Sequence, residues 1–209
     1  MSADFVIHLI GVLGSLCFMG AYAFCIKAML LCVRRQIRPP ASIVYTVLNA
    51  SAACMFFIWG ASNLAEEWTR CIFPLVGVPL GIVTVIQKLT MGVNRRSVFC
   101  SIAASLLFFA VTLFFLSDAG YISLFFYQVG LIGFGVNKLI SSFARAFFSD
   151  ISPERDAHWL VPWIFLILGD SCFMYVNYAL GEYLAFSFSI AIVGLQWVSI
   201  AQLLVKKGE

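Results

Sequence analysis

Long apolar runs separated by short polar segments dominate the chain. A membrane-spanning helix needs about 20 mostly apolar residues, and seven runs meet this requirement. The runs cover residues 7–33, 42–62, 71–91, 97–117, 121–147, 159–181 and 183–205. This pattern predicts an all-α integral membrane protein with seven transmembrane helices.

The composition agrees with that pattern. Of the 209 residues, 62% are apolar and only 11% are charged, against about a quarter charged in ordinary soluble domains. So few polar residues cannot cover the surface of a soluble fold. The composition therefore excludes the soluble globular and disordered classes, and it makes the lipid bilayer the first expected partner.

Charge and cysteine content exclude several kinds of site. The net charge of +3 is too small to indicate an anionic partner, so no nucleic-acid partner is expected. The seven cysteines form no Cys-x-x-Cys pair, which indicates neither a disulfide framework nor a zinc site. We expect no metal and no cofactor.

Basic residues concentrate on one side of the predicted membrane. Ten basic residues lie in or beside the loops that follow spans 1, 3 and 5 and at the end of span 7. They are Arg34, Arg35, Arg38, Lys88, Arg95, Arg96, Arg145, Arg155, Lys206 and Lys207. Arg70 is the one basic residue on the opposite side. Positive charge marks cytoplasmic loops, so the N-terminus is predicted outside and the C-terminus in the cytoplasm. We favour the cell membrane (plasma or bacterial inner membrane) over an organelle.

A single offset of 119 residues aligns two parts of the chain. It places Gly11–Gly14 on Gly130–Gly133, Met55 on Met174, and Trp59 on Tyr178. These residue types are common here, so chance is the alternative. The shared offset and the matching span boundaries favour an internal duplication, a frequent feature of transporters.

The duplication predicts a 3+1+3 arrangement. Spans 1–3 repeat as spans 5–7, and span 4 joins them. An odd linker gives both halves the same orientation, so the repeats are parallel. The predicted units are a first three-helix bundle at 1–92, a linker helix at 93–120 and a second three-helix bundle at 121–209.

In these features the chain resembles the SWEET, SemiSWEET and PQ-loop transporter superfamily. The resemblance is carried by the seven-span plan, by the glycine pairs Gly11/Gly14 and Gly130/Gly133, and by an aromatic segment that closes the second helix of each half. Those segments are Phe56–Gly60 and Tyr175–Ala179. The Pro-Gln dipeptide of that superfamily is absent, and spans 3 and 7 contain no Asn. The resemblance implies a small polar solute moved by alternating access.

Two ionisable side chains lie deep in the spans, where such groups are costly and mark functional sites. Asp170 is 11 residues from either end of span 6. A buried carboxyl can exchange a proton near neutral pH, so Asp170 is predicted to couple protons or bind solute, with a structural role as the alternative. Lys138 in span 5 is its candidate ion-pair partner, although the sequence leaves open whether the two touch.

Other polar and aromatic residues complete the predicted site. The predicted solute-binding residues are Asn49, Phe56, Asp170, Tyr175 and Asn177. Trp59 and Tyr178 are predicted to form an aromatic gate; both also lie near the outer interface, where belt aromatics are usual. Asn49 is equally suited to joining helices.

The sequence favours transport over other functions. An enzyme is not expected, because His8 and His158 fall on opposite sides of the membrane and no phosphate loop or nucleophile elbow occurs. A retinal protein is disfavoured because span 7 has lysines only at its end. We predict a transporter of a small polar solute, sugar-like or amino-acid-like, that is either passive or proton-coupled through Asp170.

The alternative is a receptor or trafficking adaptor of KDEL-receptor-like architecture, which binds a peptide instead of passing a solute. Lys138, Arg145 and Asp170 leave this alternative open, because such a cavity needs fixed charges. The sequence also leaves open a homo-oligomer.

Overall fold

The computed structural model describes residues 3–35, 43–90, 95–117, 121–148 and 160–208. Within these ranges the chain is helical and contains no strand. The long helices are α1 (Ala3–Arg35), α2 (Ile43–Ser62), α4 (Pro74–Thr90), α5 (Arg95–Ser117), α6 (Tyr121–Phe148), α7 (Leu160–Ala179) and α8 (Tyr183–Gly208). A short helix α3 (Leu64–Glu67) and a 3₁₀ turn (Trp68–Cys71) lie between α2 and α4.

Each predicted span corresponds to one long helix, and this part of the prediction is confirmed. In the described part of the chain, six segments are long and apolar enough to cross a membrane, and a shorter apolar helix covers Val47–Ser62. Large apolar side chains face outward, as on α5, where Phe99 and Phe114 are 72% and 75% exposed. Such extensive apolar surface suits a lipid environment. The chain is therefore a multi-pass membrane protein.

Two helix pairs make the largest interfaces, namely α2 with α6 and α1 with α7. Helix α4 packs on α1 and α2, and α8 packs on α6 and α7. The two sets of interfaces correspond if α1, α2 and α4 are matched with α6, α7 and α8. The α1–α4 and α2–α4 interfaces then correspond to α6–α8 and α7–α8, and α2–α6 corresponds to α7–α1. Helix α5 packs on α4 and α2.

Glycines allow the close approach at both large interfaces. A Cβ atom on Gly130 would lie 2.6 Å from the backbone nitrogen of Trp59, and one on Gly133 would lie 2.9 Å from Met55. At the other interface, a Cβ atom on Gly14 would lie 2.9 Å from Cys172. Gly14 and Gly133 are equivalent under the 119-residue offset, and each faces the second helix of the opposite half.

The contacts also fix the helix directions. Along α6, Gly130 meets Trp59 and Gly133 meets Met55, so α6 and α2 are antiparallel. The same pattern makes α1 and α7 antiparallel. Helices α1 and α4 run parallel, because Phe18 meets Phe73 and Tyr22 meets Gly77. Helix α4 is antiparallel to α2, because Phe73 meets Phe56 and Gly81 meets Ala50. Helices α1, α4 and α6 therefore run in one direction, and α8, which is antiparallel to α7, shares it.

Candidate functional site

An ion pair lies halfway along the helices of the second half. Lys138 of α6 places its Nζ atom 3.9 Å from Oδ2 of Asp170 on α7. Gln196 of α8 donates from Nε2 to the same oxygen at 2.5 Å. Asp170 is buried and lies about 15 Å from either end of its helix at 1.5 Å per residue. The contact that the sequence left open is thus present and joins three helices.

A small cavity adjoins this ion pair. Its volume is about 30 Å³, which is room for only a few water molecules and far below the several hundred Å³ of ordinary ligand pockets. Polar side chains supply six of the eight lining residues, although most of the lining surface is apolar. The lining comes from α2, α6, α7 and α8: Asn49, Lys138, Ser141, Ser142, Trp163, Leu166, Gln196 and Ser199. Four helices thus bring polar groups to one small cavity.

Helical spacing produces this lining. Lys138, Ser141 and Ser142 follow one another at i, i+3 and i+4 on α6, and Gln196 and Ser199 at i and i+3 on α8, so each set shares a face. Ser141 donates its hydroxyl to the carbonyl of Lys138 at 2.9 Å. Its oxygen can still accept a hydrogen bond from a solute.

A layer of packed aromatic rings lies next to the ion pair, towards the N-terminal end of α6. Phe56 is at its centre, with ring centroids 4.5 Å from Phe134, 4.9 Å from Phe73 and 5.0 Å from Phe173. Phe18 completes the layer, 4.7 Å from Phe73. The rings come from α1, α2, α6 and α7 and from the segment leading into α4, and they separate the cavity from the opposite end of the molecule. We call this group the aromatic layer.

A second polar cluster lies beyond the aromatic layer and is centred on Arg70 in the 3₁₀ turn. Nη2 of Arg70 is 2.5 Å from Oε2 of Glu182 and 2.8 Å from Oδ1 of Asn177. Nη1 pairs with Glu67, and the guanidinium carbon lies 3.6 Å above the ring of Trp59. Arg70 is fully buried, so these partners replace water around its charge.

Further contacts tie this Arg70 cluster to the rest of the molecule. Tyr127 of α6 donates its hydroxyl to Glu182, and Asn177 donates to Ser189 of α8 at 3.0 Å. Ser15 of α1 donates to the carbonyl of Thr69, next to Arg70. The cluster therefore joins the turn before α4 to α6, α7 and α8, across the two halves.

Arg70 was missed as a site residue, because the sequence indicates only a loop charge. One signal was available: Arg70 is the single basic residue among the acidic outer loops. A lone cation facing several carboxylates is a candidate for burial as an ion pair. The sequence likewise indicates only a loop charge at Glu182, which lies between two predicted spans.

The structure distributes the predicted site residues over three levels. Asn49 lines the cavity, Phe56 is the centre of the aromatic layer, and Asn177 and Trp59 belong to the Arg70 cluster. Their functional roles stay predictions. The side chain of Arg145, and those of the basic residues that orient the chain except Arg96, lie outside the described residues.

Two predicted residues lie elsewhere. Tyr175 and Tyr178 are 46% and 59% exposed on the outer surface of α7. The ring of Tyr178 packs on Phe186, whereas Trp59 is buried beside Arg70. The structure does not bring Trp59 and Tyr178 together as a gate, because the two side chains point to different sides of the helix packing. Neither tyrosine is among the residues that line the cavity, and their functional roles stay predictions.

Comparisons of the chain with protein-family models, curated proteins and solved structures find no match. Among the described residues, no group of three His, Cys, Asp or Glu side chains is placed to hold a metal ion.

Proposed function

We propose that this protein is a membrane transporter that moves a small polar solute, sugar-like or amino-acid-like, by alternating access, with proton exchange at Asp170. The observation that carries this proposal is the layered interior. A cavity that six polar side chains help to line lies at mid-depth, and the aromatic layer and the Arg70 cluster close it on one side. Buried polar groups around a central space are typical of a solute path.

The helix pairing supports a rocking motion. Two sets of three helices have matching internal contacts and meet through α1 with α7 and α2 with α6. We propose that these sets are the parallel bundles of a 3+1+3 protein, with α5 as the linker. Movement of one bundle against the other around a central site is how repeat-based transporters alternate access.

Helix direction assigns the closed side. On α6 and α8 the cavity residues follow Lys138 and Gln196, towards the C-terminal ends, whereas Tyr127 and Glu182 lie at the opposite ends. With the N-terminus outside, as the basic residues predict, the Arg70 cluster closes the outer side. The cavity then faces the cytoplasm. The cell membrane remains the location that we propose.

Opening the outer side requires the Arg70 cluster to separate. Arg70 and Glu67 precede α4 of the first half, and Glu182 precedes α8 of the second. The contact between Arg70 and Glu182 therefore spans the boundary between the two bundles. Breaking it releases charged groups to water, which replaces their lost partners.

Uptake into proteoliposomes tests transport directly. Purified protein is reconstituted and supplied with radiolabelled sugars, amino acids and short organic acids, with and without a pH gradient across the membrane. We expect accumulation of at least one solute to rise with the gradient, and Asp170→Asn to lose that rise because its side chain cannot exchange a proton. Asp4→Asn, at an exposed position, is the matched control and should retain it.

The same preparation tests the receptor alternative. If no solute enters but a peptide binds with saturation, a receptor replaces the transporter. If gradient-driven uptake is unchanged in Asp170→Asn, Asp170 has no role in coupling.

A further inference from the structure

The geometry of the cavity points to a more specific solute. We propose that it takes up a small hydroxy-carboxylate anion together with one proton, so that each transport step carries no net charge. This inference rests on the proposed transport function and names the class of its solute. The anion's carboxylate would pair with Lys138, and the proton would reside on Asp170.

Lys138 supplies the positive charge for an anion. It lines the cavity and its Nζ atom is 3.9 Å from Asp170, at the outer limit of an ion pair. The Asp170 oxygen that it approaches already accepts the shorter 2.5 Å hydrogen bond from Gln196. A solute carboxylate can therefore approach the ammonium group without displacing a tight contact.

Charge balance links the anion to a proton. In the empty cavity the charges of Lys138 and Asp170 cancel. A proton on Asp170 alone would leave an unpaired ammonium group in the interior, and an anion alone would add an unpaired negative charge. Either state is costly away from water, whereas the two together restore neutrality. Proton and anion binding should therefore favour each other.

Among the described residues around Asp170, no group other than Lys138 carries a charge that could compensate that of Asp170. Helix α6 presents Lys138, and α8 presents the neutral Gln196. Helix α1 packs on α7 where the ring of Phe18 and the backbone carbonyl of Gly14 meet Gly169, and neither group titrates.

Thiols are the other titratable groups where α1 meets α7. Cys17 of α1 and Cys172 of α7 are partly buried free thiols, and Cys172 lies against Gly14 of α1. A thiol is neutral at the pH at which a carboxyl group titrates. Among the described side chains, the charge of this region is therefore set by Lys138 and Asp170.

Hydrogen-bond acceptors in the cavity favour a solute that also carries hydroxyl groups. Oε1 of Gln196 is buried and has no hydrogen-bond partner among the described residues. A buried acceptor without a donor is unfavourable, and a solute hydroxyl would supply one. The hydroxyl groups of Ser141 and Ser199 donate to backbone carbonyls of their own helices, and their oxygens remain available as acceptors. In a short hydroxy acid, the carboxylate would pair with the Lys138 cation and the hydroxyl group would donate to one of these acceptors.

Paired uptake measurements test the solute class. Proteoliposomes are supplied with radiolabelled lactate or glycerate and, separately, with the neutral analogues glycerol and glucose. We expect the acids to accumulate when the interior is more alkaline than the exterior. Clamping the membrane potential with potassium and valinomycin should not change this uptake, because a proton and an anion together carry no charge.

Two variants separate the contributions of the two charges, and a third serves as the control. Asp170→Asn leaves Lys138 permanently unpaired, so we expect acid uptake that needs no pH gradient and now increases with an inside-positive potential. The double variant Lys138→Gln/Asp170→Asn restores neutrality without a cation. It should lose acid uptake by about tenfold or more, the typical effect of deleting a charged hydrogen bond. Lys27→Gln, at an exposed position, should behave as the unmodified protein.

The outcomes distinguish this inference from transport itself. Uptake of glycerol or glucose without uptake of either acid would overturn the hydroxy-acid proposal and leave transport standing. Uptake of no solute of any class would overturn both. If Asp170→Asn fails to fold, potential-dependent acid uptake by the unmodified protein would still overturn electroneutral coupling.

Discussion

Arg70 shows how strongly one buried side chain can depend on its partners. Its guanidinium group contacts two carboxylates, one amide oxygen and one indole ring. The planar fork of arginine suits such multiple contacts, whereas the single ammonium group of lysine does not. The cluster contains two carboxylates and one cation, so loss of the cation would leave two buried negative charges close together.

We expect Arg70→Gln to lower the stability of the protein by about 3–5 kcal/mol, the usual effect of removing one partner from a buried ion pair. Thermal unfolding in detergent, followed by circular dichroism, measures the effect. Arg70→Lys should recover only part of the loss. Arg96→Gln, which alters an exposed side chain, is the matched control and should unfold as the unmodified protein does. Equal unfolding temperatures for the two glutamine variants would contradict a stabilising role for the cluster.

Glycine positions determine how closely the helices pack. Gly130 and Gly133 allow α6 to lie against the backbone and Met55 of α2, and Gly14 allows α1 to lie against α7. Helix existence was predictable from the sequence, since long apolar runs have few alternatives in a membrane. The short helix α3 and the 3₁₀ turn were not predicted, because neither is long enough to give a periodic pattern.

Gly130→Ala should separate α2 from α6. Its Cβ atom would lie 2.6 Å from a backbone nitrogen, which cannot move without shifting the helix, and overpacking of this kind typically costs about 1–3 kcal/mol. Gly194→Ala is the matched control, because open space surrounds that position. It should be neutral or stabilise α8 by up to about 1 kcal/mol. Thermal unfolding in detergent compares the two variants. An equal loss of stability in Gly194→Ala and Gly130→Ala would contradict the packing argument.

At the scale of the whole molecule, the Lys138–Asp170 pair and the Arg70 cluster lie at two levels with the aromatic layer between them. The sequence located Asp170 and Lys138 correctly as deep charges, because few ionisable residues interrupt the spans. It could not show that Gln196 shares the same carboxylate oxygen, that Arg70 is buried, or that Tyr175 and Tyr178 face outward. Those facts depend on how helices rotate against one another, and hydropathy alone does not specify rotation.

Labelling with a thiol reagent tests from which membrane face the cavity and the Arg70 cluster can be reached. In a chain whose seven native cysteines are replaced, we expect a membrane-impermeant maleimide to label Ser142→Cys in the cavity from the cytoplasmic face. Ser189→Cys, beside Asn177 in the Arg70 cluster, should resist labelling from both faces. Adding Arg70→Gln should expose position 189 to the outer face. Labelling of position 142 only from outside would reverse the proposed orientation.

The buried ion pair has no counterpart in the first half of the chain. Under the 119-residue offset, Lys138 and Asp170 correspond to Met19 and Ser51, neither of which carries a charge. A dimer built from two identical halves would hold either two such pairs or none. Under the duplication that we propose, joining the halves in one polypeptide would let each diverge, which explains why the described residues hold this pair in the second half alone. Under the proposed coupling, one pair loads one proton per cycle, so we expect one proton to be coupled per solute at this site.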